Sequence, residues 1–266
     1  MGYIGRMNHG VLATVTVTVT VLASGCGKRD PAPTELEDLA RYVFANWDDD
    51  ALLPEASDNL LAWLTDNIDS EQARDGLELE DLASEDLADV EHPDAPLEDL
   101  IGACGAARSP FGIDLHAGHM VLGDQVFSNP KSYDHYDRTV TEGEPDVFVG
   151  GVGLLRTSND VQTTTLGVTI PYILLKDYKW VQGETSRAIL ARSWIEEESC
   201  NDGGGNCLVQ TYSVDMFFDH SGETWRMTAG WNQLDTSIAL PDATLVKTLA
   251  DGIQDVFRYT DEFLAD

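Results

Sequence analysis

The chain has 266 residues, 42% of them hydrophobic and 24% charged, enough to bury a substantial core. Its charge balance is extreme, with 16 Lys+Arg against 47 Asp+Glu and a formal net charge of −31. Such a surface repels nucleic acid phosphates and anionic headgroups, which argues against either as a partner of the folded body.

Residues Met1–His9 carry Arg6 and no acid, and Val11–Ala23 is an apolar run too short to span a bilayer. The stretch Leu22-Ala23-Ser24-Gly25-Cys26 follows. It resembles the lipobox of bacterial lipoproteins, with Ala23 standing where that pattern has leucine. The resemblance covers the leader only. It implies a signal peptide over residues 1–25, acylation of Cys26, and export to the cell envelope with the membrane as partner through the acyl anchor. Gly27 behind the cysteine, by the same resemblance, favours the outer membrane. Residues 26–33, polar and holding Pro31 and Pro33, read as a tether.

Residues 34–108 read as an acidic helical region. Thr34 and Glu37 have the spacing of a capping box, and Leu36, Leu39, Ala40, Val43, Phe44 and Trp47 recur at helical spacing. Asp48–Asp50 is expected to end that helix. Ser57 opens a second one through Leu60, Leu61, Leu64 and Ile68. From Asp69 to Leu100 acids dominate, a face suited to docking a partner protein, without the spaced order of a calcium loop. Cys104 reads as a buried free thiol in a helix, with a pairing to Cys200 or Cys207 as the alternative.

Residues 109–266 change texture. Thr163–Leu175, Arg187–Glu196, Leu208–Phe218 and Glu223–Leu234 read as strands, with a hairpin turn at Asp219-His220-Ser221-Gly222. In the last strand Trp225, Met227, Ala229 and Trp231 alternate with Thr224, Arg226, Thr228 and Gly230, as a sheet with one apolar and one solvated face requires. Pro241-Asp242 opens a final helix with Leu245, Leu249, Ile253, Val256, Phe257 and Phe263 on one side, expected to pack across the apolar face. The fold class is therefore α+β: acidic helices, then an antiparallel sheet packed by a long C-terminal helix. That element order, over roughly residues 118–266, resembles the helix-grip architecture of START and Bet v1-like proteins. The resemblance implies a curved sheet wrapping the last helix around a cavity for apolar or amphipathic ligands.

Cys200 and Cys207 flank an Asn/Gly-rich loop, and outside the cytoplasm they are expected to pair as a disulfide. Trp194, Tyr212, Trp225 and Trp231 are candidates to line a ligand pocket, against the alternative that they are core. His116 and His119, with Asp124, are the candidate metal set, since two imidazoles and a carboxylate suit a borderline metal; Gly118 and Pro110-Phe111-Gly112 suggest that they sit on a loop. Arg187, Arg192, Arg226 and Arg258 are isolated bases that suit a carboxylate or headgroup, or a nearby acid such as Glu196. No Gly-x-Ser-x-Gly elbow or phosphate loop is present, and no catalytic residue or cofactor is assigned. Three readings follow: a non-enzymatic module for an apolar or lipid-like ligand, an interaction lipoprotein docking an envelope protein through its acidic helices, and a metal-dependent hydrolase.

Overall fold

The computed structural model describes residues 31–165, 167–236 and 241–266. The expected leader, Cys26 and the start of the tether lie outside these residues. Ala32 and Pro33, at the end of the expected tether, are fastened to the body, because the Asn59 amide donates to both of their carbonyls at 3.1 and 2.8 Å.

The helices are α1 (Leu36–Ala45), α2 (Leu53–Asn67), α3 (Glu71–Asp75), α4 (Ile113–Met120), α5 (Pro145–Val149) and α6 (Asp242–Ala265). The strands are β1 (Leu77–Glu78), β2 (Ile101–Ser109), β3 (Tyr133–Glu142), β4 (Leu154–Thr165), β5 (Val168–Gln182), β6 (Arg187–Trp194), β7 (Ser199–Cys200), β8 (Cys207–His220) and β9 (Glu223–Asp235). All pairings are antiparallel, in the order β1-β2-β9-β8-β6-β5-β4-β3, with β7 on the end of β8. The α+β class, with its antiparallel sheet and C-terminal helix, is as expected.

Local expectations fare unevenly. The N-cap of α1 is Glu35 rather than Thr34, with no side-chain cap bond, and α1 ends at Ala45, ahead of the aspartates. The helix α2 starts at Leu53, earlier than Ser57, with Pro54 in its first turn where a missing N–H costs nothing. The expected strand Thr163–Leu175 is two strands, broken at Gly167, whose φ of +77° favours glycine. The hairpin at Ser221-Gly222 forms with both residues at positive φ, 54° and 88°. Cys104 is buried but lies in β2, not in a helix. Through β1 and β2, the sheet draws two strands from the region expected to be helical up to residue 108.

The strand periodicity gives the sheet two unlike faces. On the outer face Tyr212, Val214, Met216 and Phe218 of β8 pair with Trp231, Ala229, Met227 and Trp225 of β9. These join Leu36, Leu39, Val43 and Phe44 of α1 and Leu53, Leu60 and Leu64 of α2 in one buried cluster. Phe44 meets Tyr212 and Trp231 edge to face, at 5.9 and 6.5 Å between ring centres. Trp47, fully buried, lies under two cations, Lys179 at 5.0 Å and Arg192 at 5.4 Å. The N-terminal helices, not the C-terminal one, therefore cover the apolar face. The expectation for α6 is corrected accordingly: it lies on the other face, where Thr224, Arg226, Thr228 and Gly230 point.

Candidate functional site

What brings α6 to the inner face is a row of small residues. Gly105 on β2 has Ile253 and Gln254 so close that a Cβ there would meet both at 3.2 Å. The Gln254 amide donates to the carbonyls of Ala73 and Ala106, each at 3.2 Å. At its C-terminal end α6 stacks Phe263 on Phe127, 3.9 Å between ring centres, in the 3-10 turn Val126–Ser128. That turn is tied to β3 by the Gln125 N–H bonding the Tyr136 carbonyl at 2.9 Å. The helix thus joins β2, near one end of the strand order, to the segment beside β3 at the other.

This inner face has three zones. At one end α4 and α5 seat Ile113, Ala117, Met120 and Phe148 on Leu155, Tyr178, Ile189 and Ala191. At the other, Ile170, Ile195 and Leu208 cluster with Val168, Tyr172 and Leu174. Between them the strands present charge. The Lys176 ammonium bonds Asp215, whose other oxygen accepts from the Thr228 hydroxyl at 2.6 Å. Arg138 donates to Asn159 Oδ1 at 2.9 Å and to the Met120 carbonyl, and its guanidinium lies 5.3 Å from the centre of the Tyr178 ring. Burial alone would lower the Lys176 pKa; Asp215 outweighs that and holds the ammonium well above its ordinary range.

These residues combine two properties. Desolvation is the leading influence on the titration of Tyr133, Tyr172 and Lys176, so they are deep in the molecule. Yet all three keep part of their surface accessible, as do Leu174, Ser213 and Thr228 on the same face. Accessible surface on side chains this deep is what an unfilled internal space beside them would leave. The opposing wall belongs to α6, where Leu249, Ile253 and Val256 share one helical face and are only partly buried. Among the described residues, no side chain of α6 belongs to any of the three apolar clusters.

Where α4 meets β2 and α6, a chain of polar groups closes the site. The Ser109 hydroxyl donates to Asp261 Oδ1 at 2.6 Å, and Asp261 Oδ2 accepts from Arg226 at 2.8 Å. With its proton so committed, Ser109 Oγ accepts from His116 Nε2 at 2.9 Å. His116 Nδ1 is then an acceptor without a partner, and both ring nitrogens of His119 and two guanidinium nitrogens of Arg226 are also buried and unpartnered. Burial, first, holds both imidazoles neutral, helped at His116 by His119 and Arg226 and at His119 by Arg138, Arg226 and Lys176: His116 is pushed down to about 2 and His119 to about 3. The order Asp–Ser–His is not a catalytic triad, because the imidazole neither orients toward a carboxylate nor takes the serine proton.

The metal set expected from sequence is not assembled. His116 and His119 lie on the helix α4, not on a loop, with ring centres 5.6 Å apart. Asp124 instead accepts from the Val126 N–H at 2.9 Å. Among the described residues only Glu198, Cys200 and Cys207 gather with metal-ligand closeness, and the two sulfurs are bonded to each other as the expected disulfide. The four aromatics expected to line a pocket, Trp194, Tyr212, Trp225 and Trp231, all belong to the outer-face cluster under the N-terminal helices, so they do not border the internal space. The arginines pair with acids other than Glu196: Arg187 with Asp114 and Asp219, Arg192 with Asp48 and Asp177, Arg226 with Asp261, and Arg258 with Asp255 and Glu262. Sequence reasoning missed Arg138, Lys176 and Asp215. Their alternation with apolar neighbours looks like that of any solvated strand face.

No family model and no curated protein sequence matches this chain. Solved structures resemble it in fold. A STAR-related lipid transfer protein from Xanthomonas axonopodis is 7% identical, with a TM-score of 0.42, over 63% of this chain and 88% of its own. A START superfamily protein from Mycobacterium smegmatis is 6% identical, with a TM-score of 0.40, over 62% and 97%. A protein from Thermus thermophilus is 10% identical, with a TM-score of 0.41, over 62% and 97%. At such identities the likeness concerns the fold alone.

Proposed function

We propose that this protein is a non-enzymatic binding module of the bacterial envelope, tethered through an acylated Cys26 and holding a small amphiphilic molecule between the inner sheet face and α6. The observation that carries the reading is the unfilled wall of α6. Leu249, Ile253 and Val256 face a sheet, yet they stay partly buried and outside every apolar cluster of the described residues. An apolar stripe on a packed helix needs apolar contact, and a bound hydrocarbon supplies it. The charged middle of the sheet face and the apolar cluster around Ile170 suit a molecule with one polar and one apolar end.

The test is native mass spectrometry of the full chain extracted from its own membranes in mild detergent. A bound small molecule, released on denaturation, is expected; a bare protein mass under conditions that preserve other lipid–protein complexes sinks the reading. For the anchor, Cys26→Ser should move the protein from the membrane to the soluble fraction, and a processed form still held in the membrane contradicts it.

A further inference from the structure

The internal space carries an unbalanced charge. Three cations border it or its closing network: Arg138, Lys176 and Arg226. Two carboxylates answer them, Asp215 on Lys176 and Asp261 on Arg226. Arg138 has only neutral partners, the Asn159 amide, the Met120 carbonyl and the Tyr136 hydroxyl, and no carboxylate lies within ion-pair distance of it among the described residues. A cation left unpaired in a low-dielectric interior is expensive, and proteins normally supply a counter-charge. That the interior is one positive charge in excess is the more telling in a chain whose net charge is −31.

An independent observation points to the same place. Both ring nitrogens of His119 are buried without a partner, although Arg138, Lys176 and Arg226 all lie close enough to act on that imidazole. A neutral imidazole has one N–H to give, and the Arg138 guanidinium has donors beyond those it uses. Both are oriented by the same short stretch: Arg138 bonds the carbonyl of Met120, the residue after His119.

We propose that the site takes an amphiphile bearing a single carboxylate, whose oxygens accept hydrogen bonds from Arg138 and His119 while its hydrocarbon lies along Leu249, Ile253 and Val256. This rests on the binding reading above and adds the charge and chemical class of the ligand. The carboxylate restores neutrality to the interior and partners the imidazole that the protein leaves unsatisfied. A neutral ligand leaves the charge unbalanced even where its oxygen accepts from the imidazole, and a cationic one adds to the excess.

The experiment is calorimetric titration of the delipidated full chain with straight-chain acids from hexanoate to tetradecanoate, each set beside its methyl ester. Acids are expected to bind at least about tenfold tighter than their esters, the worth of a charge-assisted hydrogen bond. Arg138→Gln and His119→Leu should each cut that preference, while Arg156→Gln, on the outer face, leaves it intact. Equal affinity of acid and ester for the unaltered chain overturns the inference and leaves the binding reading standing. Failure of every acid and ester to bind overturns both. A preference undiminished in both variants, with their folding verified by circular dichroism, assigns the anion elsewhere and overturns the inference.

Discussion

The two faces of the sheet are built to opposite rules. The outer face is apolar and filled: Tyr212, Met216, Met227 and Trp231 are at most 1% exposed beneath α1 and α2, and Tyr212 and Trp231 place their polar atoms on Gln210 and the Glu80 carbonyl. Its exceptions are the indole N–H groups of Trp47, Trp194 and Trp225 and one nitrogen of Arg192, which lack partners. The inner face puts lysine, arginine, aspartate and tyrosine where a helix covers them, and around α4 it leaves histidine and arginine nitrogens unsatisfied. Packing of the first kind stabilises; the second costs stability, and such cost is characteristic of sites that bind. One sheet thus separates a face that holds the fold together from a face whose packing is left incomplete.

Four measurements break or sharpen that division. The largest effect is expected on the outer face: Trp231→Ala should destabilise by about 3–5 kcal/mol, from the lost indole and the cavity it leaves. Urea denaturation reads this, and a loss below about 1 kcal/mol would move the fold's main support elsewhere. Next, Asp261→Asn strips the buried Arg226 of its counter-charge and should cost about 3 kcal/mol; an unchanged midpoint would mean that water, not Asp261, satisfies the guanidinium.

The third concerns pH. His116 and His119 titrate near 2 and 3 in the folded chain and near 6.5 when free. Below about pH 6.5 the unfolded chain therefore binds two protons that the folded chain refuses. Stability is full above that pH and falls as pH drops towards 3, by up to about 2.7 kcal/mol per pH unit from this pair. The double variant His116→Phe/His119→Leu should flatten the dependence between pH 6 and 4, and an unaltered slope removes these histidines from the account. The smallest effect has the opposite sign: His119→Leu alone should raise stability at pH 7 by about 1 kcal/mol, because it deletes unpartnered polar atoms. Destabilisation of that variant would show that the imidazole has a structural partner.

Much of this was legible beforehand, and the reasons for the rest are physical. The alternation of Trp225 to Trp231, the hairpin at Ser221-Gly222, the last helix and the Cys200–Cys207 bond follow from local rules, since each depends on residues close together in the chain. Which layer covers which face does not. An alternating strand says that one side is apolar, not whether α1 or α6 will reach it, and the polar side reads as solvated whether or not a helix lies over it. That is why Trp194, Tyr212, Trp225 and Trp231 were candidates for a pocket and turn out to be core, and why Arg138 and Lys176 drew no notice. The missed signal was α6 itself: its apolar stripe required an opposing surface, and the first helices had already claimed the apolar one. The strand β2 was missed because Gly102, Ala103, Gly105 and Ala106 have low strand propensity; they are there so that Trp231 on one side and Ile253 on the other can close in.

The position of β2 also has a kinetic consequence. Its long partner is β9, so that Ser109 pairs with Thr224 and Ile101 with Asn232, across nearly half of the chain. During synthesis, β2 emerges long before anything can pair with its far edge. The helices α1 and α2 likewise wait for β8 and β9 to cover their apolar sides. Pairings this remote make for slow folding, and the unpaired edge invites association in the interval. A late, cooperative closure in which β9 and α6 arrive together is the expected folding route. Truncation of α6 should accordingly leave a chain that aggregates rather than one that folds without it.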